Sequence, residues 1–347
     1  MPIKYIVNWK SNKINQIIDV RSPDEYSEDH IPNSLNVPVL NNNERKLIGI
    51  IYKKENPFKA KKLGASLISK NIANFIKSKL IDTPGSWKPL VYCWRGGQRS
   101  KSLAITLSEI GWEVYVLKGG YKTYRKHINK YLNKIINKNK YIVLRGPTGN
   151  AKTKIIEKLE QLGSPVINLE KLANHKGSLL GKDYAKPQPS QKFFESLLYY
   201  KLKNFKKNKT ILIESESSKI GNLFLPSSLV NRIENSPCID IHSNLNARIE
   251  FLLKDYSKFI LKKNSFKELF LYAQIKLGSK AVSKWKNNYY KKKWKNLATQ
   301  LINEYYDPLY NYKKKQKKNK VLEHHKLENL NRNSIAKFCY YLQKKYF

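Results

Sequence analysis

The sequence is poor in cysteine, in acidic side chains and in long apolar runs, and each shortage closes off a class of protein. Three cysteines in 347 residues, Cys93, Cys238 and Cys339, are too few and too scattered for a disulfide framework or a zinc ribbon. No stretch approaches the ~20 apolar residues needed to cross a bilayer. The opening residues, MPIKYIVNWKSNK, contain neither an apolar signal core nor a small-residue cleavage site. These absences lead us to expect a protein of a reducing cytoplasm with no membrane partner.

Acidic side chains are heavily outnumbered: 67 Lys+Arg against 26 Asp+Glu leaves a formal net charge of +41. Lysine far outnumbers arginine, and asparagine and isoleucine are abundant. That bias is also what an AT-rich genome imposes on exposed positions, so composition competes with binding as the source of the excess. A field of this strength still selects a polyanion. No lipid-binding amphipathic helix accompanies the charge, which favours nucleic acid over a membrane surface. With 41% hydrophobic and 12% aromatic residues, a disordered basic tail is excluded. The length suggests two or three domains.

In the first half, residues 14–20 and 35–39 read as short strands, 41–64 as a long polar and basic segment, and 65–79 as a helix. An apolar strand at 90–93 ends in Cys93. The loop Trp94-Arg95-Gly96-Gly97-Gln98-Arg99 follows, then a helix from Ser100 to about Ile110. Another strand at 113–117 leads through Gly119-Gly120 into a basic helix at 121–136. Strands alternating with helices imply a parallel α/β sheet. Successive N–H groups of a loop that turns from strand into helix converge on one point and form an anion nest. That field, with Arg95 and Arg99 beside it, favours the thiolate of Cys93, a nucleophile able to take sulfur, selenium or a phosphoryl group from an anionic donor. The competing reading is a buried structural cysteine. Two glycines and two arginines directly after it weigh for catalysis.

A polar linker at 137–140 precedes a second buried-type strand, 141–146, which runs into Gly146-Pro147-Thr148-Gly149-Asn150-Ala151-Lys152-Thr153 and a helix. This is the phosphate-loop pattern G-x-x-x-x-G-K-[ST] with Ala151 at the second glycine. Gly146, Gly149, Lys152 and Thr153 are the expected diphosphate-binding residues. A methyl group at position 151 is expected to weaken the close approach that glycine allows. Further α/β units follow at 165–170, 210–217 and 238–243, the middle one ending in Glu214 and Glu216, where a metal-side carboxylate is often placed. Helix capping is the plainer role for those two. From 246 onward the pattern is helical and basic with interleaved aromatics. Lys284, Trp285, Lys286, Lys291, Lys292, Lys293 and Trp294 are candidate RNA contacts, lysines for phosphates and tryptophans for stacking on bases. A solvated helix face with its aromatics in the core is the competing reading.

The segments Asp19-Val20-Arg21-Ser22-Pro23-Asp24-Glu25-Tyr26, His30-Ile31-Pro32, Cys93 with its loop, and Leu117-Lys118-Gly119-Gly120 resemble a rhodanese domain. Five residues separate Cys93 from Arg99, one more than in ordinary sulfurtransferases and the length found in rhodanese-like phosphatases. The larger cradle suits phosphate or selenophosphate. Together with Leu172 through Ser178, Gln188 through Gln191, Glu214 through Ser217, Lys219-Ile220-Gly221 and Tyr306-Asp307-Pro308-Leu309-Tyr310, nearly the whole chain resembles the tRNA 2-selenouridine synthases. The family's usual phosphate loop has glycine where this chain has Ala151.

The resemblance implies an α/β fold: a rhodanese-like domain at 1–136, a P-loop-like domain at 137–245 and a basic helical, tRNA-contacting region at 246–347. It implies a cytoplasmic selenotransferase acting on 2-thiouridine at the tRNA wobble position. The sulfur is geranylated by geranyl diphosphate, and selenium from selenophosphate then displaces geranylthiol. Cys93 carries the selenium as an S-selanylcysteine, with Arg95 and Arg99 assisting. An enzyme that supplies selenophosphate is an implied partner, and Mg2+ is compatible with Glu214 and Glu216. Read without the resemblance, the motifs also admit a sulfurtransferase or phosphatase with a P-loop partner domain, or a non-enzymatic RNA-binding protein.

Overall fold

Leu90, Val91 and Tyr92 are wholly buried on both faces, as a strand covered by helices on either side requires. They belong to a five-stranded sheet of β1 (Lys4–Ile6), β2 (Gln16–Asp19), β3 (Leu35–Asn36), β4 (Pro89–Tyr92) and β5 (Tyr115–Leu117). The order is β1-β5-β4-β2-β3 and every pairing is parallel. Ile18, Val20, Val91, Leu103, Leu107 and Val116 form the centre of its core.

The computed structural model describes residues 2–177, 187–206, 209–260, 266–316 and 319–347. Two compact units emerge: Met1–Leu132 with Pro189–Tyr199, and Asn133–Gln188 with Tyr200–Phe347. In the first unit the supposed polar segment at 41–64 is helical. Asn41 and Glu44 form a capping box for helix Asn42–Lys54. Asn56 caps helix Pro57–Lys79, whose first residue is the proline favoured there. The polar residues that obscure the hydrophobic period are themselves the helix-start signals.

The second unit holds β6 (Lys140–Arg145), β7 (Val166–Ile167), β8 (Thr210–Glu214), a small antiparallel pair β9 (Lys219–Ile220) and β10 (Leu223–Phe224), then β11 (Cys238–His242) and β12 (Val321–Lys326). Its main sheet runs β12-β11-β6-β8-β7, all parallel. No linker intervenes at 137–140, because helix Gly120–Lys138 ends two residues before β6 begins. Residues 246–347, expected as a helical region, lie in this unit, and β12 within them is a strand that edges the sheet beside β11. Its alternation of half-buried and exposed side chains has the period of two that marks an edge strand. The last helix, Arg332–Tyr346, covers the sheet through Ile335, Phe338, Cys339 and Leu342. Helices Leu245–Asp255, Lys267–Leu277, Ser279–Tyr290 and Trp294–Leu301 precede a π-helical turn, Ile302–Tyr306, and the helix Asp307–Gln316. Among the described residues no helix is long and apolar enough to cross a membrane. All three cysteines are free.

Candidate active sites

In parallel α/β sheets the loops at the carboxyl ends of the strands build the sites, and both anion loops sit there. Cys93 directly follows β4, and Gly97 is the N-cap of helix Gln98–Ile110. The Gly97 N–H donates to Cys93 Sγ at 3.2 Å, and Ser100 Oγ lies at 3.2 Å from the same sulfur. Cys93 is 3% exposed. Its sulfur is therefore held at the foot of a helix N-terminus with one backbone amide aimed at it, while the Ser100 hydroxyl donates to the Gly97 carbonyl oxygen at 3.0 Å.

The two glycines after β5 hold this loop from behind. Gly120 has φ +57°, and a Cβ on it would overlap the Cys93 carbonyl oxygen and come within 2.6 Å of Gly96 N. The next two amides bond to the loop, Tyr121 N to Cys93 O at 2.8 Å and Lys122 N to Trp94 O at 3.1 Å. Trp94 stacks on Tyr121, ring centroids 5.2 Å apart. The Tyr121 ring in turn lies 4.0 Å from the Arg21 guanidinium. Arg21 is buried against Asp19, with Nη2 to Oδ2 at 2.6 Å.

Arg99, expected to assist Cys93, is gripped by Glu25: Nη1 donates to Oε2 at 2.7 Å. Burial pushes the Glu25 carboxyl up, but the hydrogen bond and charge of Arg99 prevail and hold it below its ordinary range. Glu25 also closes the capping box of Ser22, so the Arg21–Tyr26 stretch and the far end of the Cys93 loop are tied together. Arg95 and Gln98 are exposed, and Gly96 is half-buried.

The second loop follows β6. Gly149 has φ +85° and Ala151 φ +52°, so Ala151 adopts the left-handed conformation that glycine serves in the common pattern. Its methyl group is buried in the apolar cluster with Ile155 and Ile156. Lys152 Nζ donates to Gly146 O at 2.7 Å, and Thr153 Oγ1 donates to Glu170 at 2.7 Å.

Glu170, Glu214 and Glu216 bring carboxylate oxygens within 4.8 Å of one another. Burial raises the Glu214 carboxyl well above its usual range, with Glu170 and Glu216 adding to the effect, and burial also raises Glu170. Burial lowers the Lys152 ammonium against the pull of the same three acids. Hard oxygen donors beside a phosphate loop fit Mg2+. Glu170 was not anticipated: it follows the neighbouring strand β7, and only the β8-β7 adjacency brings it in.

Several of the blocks that carry the family resemblance frame this site. A Cβ on Gly177 (φ +65°) would lie 2.8 Å from a Glu216 oxygen and 3.0 Å from one of Glu170, so the His175-Lys176-Gly177 backbone presses on the acids. Gln188 Nε2 donates to Ala173 O and Ile220 O, and its Oε1 accepts from Asn222 N. Arg248 Nε donates to Thr148 O at 2.8 Å, while its two terminal nitrogens reach both oxygens of Asp307 at 2.8 and 2.6 Å. Ser178 of the first block lies outside the described residues, as do residues 317 and 318 within a lysine-rich run, KKKQKKNK, at 313–320.

The RNA candidates separate. Lys284, Lys291, Lys292 and Lys293 are exposed and Lys286 is half-buried. Trp285 is wholly buried and donates from Nε1 to Glu304 at 2.8 Å, which corrects its reading as a base-stacking platform. Val282, Trp285 and Tyr289 follow the i, i+3, i+7 spacing of a core-facing stripe, and all three pack in the helical cluster. Trp294 is half-buried and packs on Phe266.

Two family models match the chain, a rhodanese-like domain over residues 4–127 and a tRNA 2-selenouridine synthase AAA domain over residues 139–270. A tRNA 2-selenouridine synthase of Sulfurovum sp. (strain NBC37-1) is 32% identical over 334 residues, covering 88% of this chain and 90% of that protein. One of Bdellovibrio bacteriovorus is 36% identical over 253 residues, 69% of this chain and 64% of that protein. One of Nitrosomonas europaea is 33% identical over 244 residues, 69% and 63% respectively.

Proposed function

The chain belongs to the tRNA 2-selenouridine synthase family, and on that premise we propose that it is a selenotransferase exchanging sulfur for selenium in wobble 2-thiouridine by way of an S-geranylated base. In the first stage the thiocarbonyl sulfur attacks C1 of geranyl diphosphate; the C–O bond breaks and diphosphate leaves. The converging amides of 146–151 and the Lys152 ammonium supply charge for that leaving group. A magnesium ion held by Thr153, Glu170, Glu214 and Glu216 would add further positive charge on the diphosphate. Alkylation makes the sulfur a better leaving group for the second stage.

In that stage Cys93 Sγ attacks the selenium of selenophosphate, the Se–P bond breaks with its electron pair on phosphorus and phosphite leaves. The S-selanyl group then attacks C2 of the base and expels geranylthiol, and a thiol reductant cleaves the S–Se bond, returning Cys93 and freeing 2-selenouridine. The observation that carries this reading is the Gly97 N–H aimed at Cys93 Sγ at 3.2 Å, at the N-terminus of a helix. A chalcogen anion and an oxyanion leaving group both gain from donors so placed. The exposed lysines at 284 and 291–293 are the proposed phosphate contacts for tRNA. A sulfurtransferase or phosphatase with an unrelated partner domain leaves the match of residues 139–270 without a role.

Mass spectrometry of tRNA nucleosides tests the assignment. Cys93→Ser should abolish 2-selenouridine and accumulate the geranylated base. Lys152→Ala should abolish diphosphate release from geranyl diphosphate and thiolated tRNA; wild-type release would remove the phosphate loop from the chemistry.

A further inference from the structure

Of the six tryptophans only Trp94 is an exposed side chain, 36% open to solvent. Trp9, Trp87, Trp112 and Trp285 are buried, and Trp294 is half-buried. The exception directly follows the nucleophile Cys93. An indole left in water forfeits the burial that the others gain, unless a partner supplies it.

The ring is braced from behind. Tyr121 takes one side of the indole, with 30° between the two planes. Tyr121 is itself fixed at both ends: the Arg21 guanidinium lies 4.0 Å from its ring, and its hydroxyl donates to Asp29 Oδ2 at 2.8 Å. The Trp94 carbonyl oxygen accepts from Lys122 N at 3.1 Å. A side chain so held gives up little conformational freedom when a second ring is laid against it. Its surroundings are cationic. Arg95, Lys101, Lys118 and Lys122 are exposed, and neither 94–101 nor 117–127 contains an acidic residue. A preorganised aromatic among cations suits single-stranded nucleic acid, with a base on the ring and the flanking phosphates on the charges.

We propose that Trp94 is the platform on which the pyrimidine ring of the substrate uridine stacks beside Cys93, bringing C2 to the selenium. The inference rests on the reading above that Cys93 passes selenium to a tRNA base. It gives Trp94 a role separate from the anion cradle, because loading Cys93 from selenophosphate needs no base and delivery does.

Two measurements on the full chain separate those roles. Intact mass after incubation with selenophosphate alone reads selenium on Cys93. Single turnovers of the loaded protein with an anticodon stem–loop bearing S-geranyl-2-thiouridine at the wobble position read delivery as released geranylthiol. Trp94→Ala should load as the wild type does, yet need at least about tenfold more stem–loop for half-maximal delivery. Trp94→Tyr should come within about threefold of the wild type, and Trp94→Leu, apolar but without a π-face, should not. Wild-type delivery by Trp94→Ala, or leucine serving as well as tyrosine, overturns the platform. A wild type that takes no selenium onto Cys93 overturns the reading of Cys93 on which the platform rests. Should the Trp94 variants fail to load, photocrosslinking of the wild type to a stem–loop with 5-iodouridine at the wobble position decides: an adduct on Trp94 supports the platform, and its absence overturns it.

Discussion

Gly120 stands directly behind Cys93, its α-carbon so close that any side chain would overlap the Cys93 carbonyl oxygen. The nucleophile loop is thus shaped by a residue from the next strand–helix junction, 27 positions along the chain. Gly120→Ala adds a collision with backbone to the left-handed strain of about 1–2 kcal/mol. We expect a loss of at least about 2 kcal/mol in thermal or urea unfolding, and selenium transfer reduced on the order of a hundredfold by loop displacement. Gly97→Ala, where nothing lies within 4 Å of the new Cβ, should cost well under about 1 kcal/mol. Equal losses in the two variants would sink the argument.

Ala151→Gly weighs three small effects against each other. Relief of left-handed strain gains about 1–2 kcal/mol, glycine's backbone entropy costs about 0.5–1, and the buried methyl is worth about 0.8. Stability should stay within about 1 kcal/mol of wild type. Because the methyl points into the core, pyrophosphate affinity should change less than about twofold, well under 1 kcal/mol. A tenfold tightening would mean that the methyl does obstruct the loop.

The Arg248–Asp307 pair positions the phosphate loop without needing to touch phosphate. Asp307→Asn and Arg248→Lys should each raise KM for geranyl diphosphate about tenfold, equivalent to about 1.4 kcal/mol, with a smaller change in kcat. In a double-mutant cycle the two should couple by at least about 1 kcal/mol. Additive losses would show that the pair does not act as a unit.

Glu170 and Glu214 hold their protons above the ordinary glutamate range. Their protonated forms suit the fold, so the stability they contribute is present at low pH and is lost as pH rises through the raised values. A divalent cation competes with those protons. The upward shift in Tm on adding Mg2+ should therefore grow as the pH rises above the ordinary glutamate range. Glu214→Gln should abolish the shift. A magnesium effect independent of pH, or one retained in Glu214→Gln, would place the ion elsewhere.

Replacing Lys291, Lys292 and Lys293 with alanine should weaken tRNA binding and flatten its salt dependence. Each lost phosphate contact lowers the log–log slope by about 0.7–0.9, so three should lower it by about 2 between about 50 and 200 mM salt. Filter binding reads this directly. An unchanged slope would move the RNA surface to other lysines.

Both anion loops were legible because each is local. A strand, a turn and a helix start within ten residues carry the whole backbone geometry, and Cys93 and Lys152 stand at fixed steps inside them. The parallel sheets were legible for a similar reason, since strands buried on both faces must be continuous apolar runs. The helix at 42–54 was not, because capping residues broke its apolar period.

What the amino-acid sequence determined by itself was the chemistry on offer: one sulfur and one lysine, each at the mouth of an amide-lined turn. Tertiary structure decided which groups join them. Strand order delivered Glu170 to Glu214, and the helix Leu245–Asp255 delivered Arg248 to Thr148, across 44 and 100 positions of chain respectively. It also sent Trp285 inward while Trp294, in a closely similar lysine-flanked setting, came to line a cavity. Short-range spacing is set by bond geometry; convergence over such distances is set by which buried faces find each other when water is expelled.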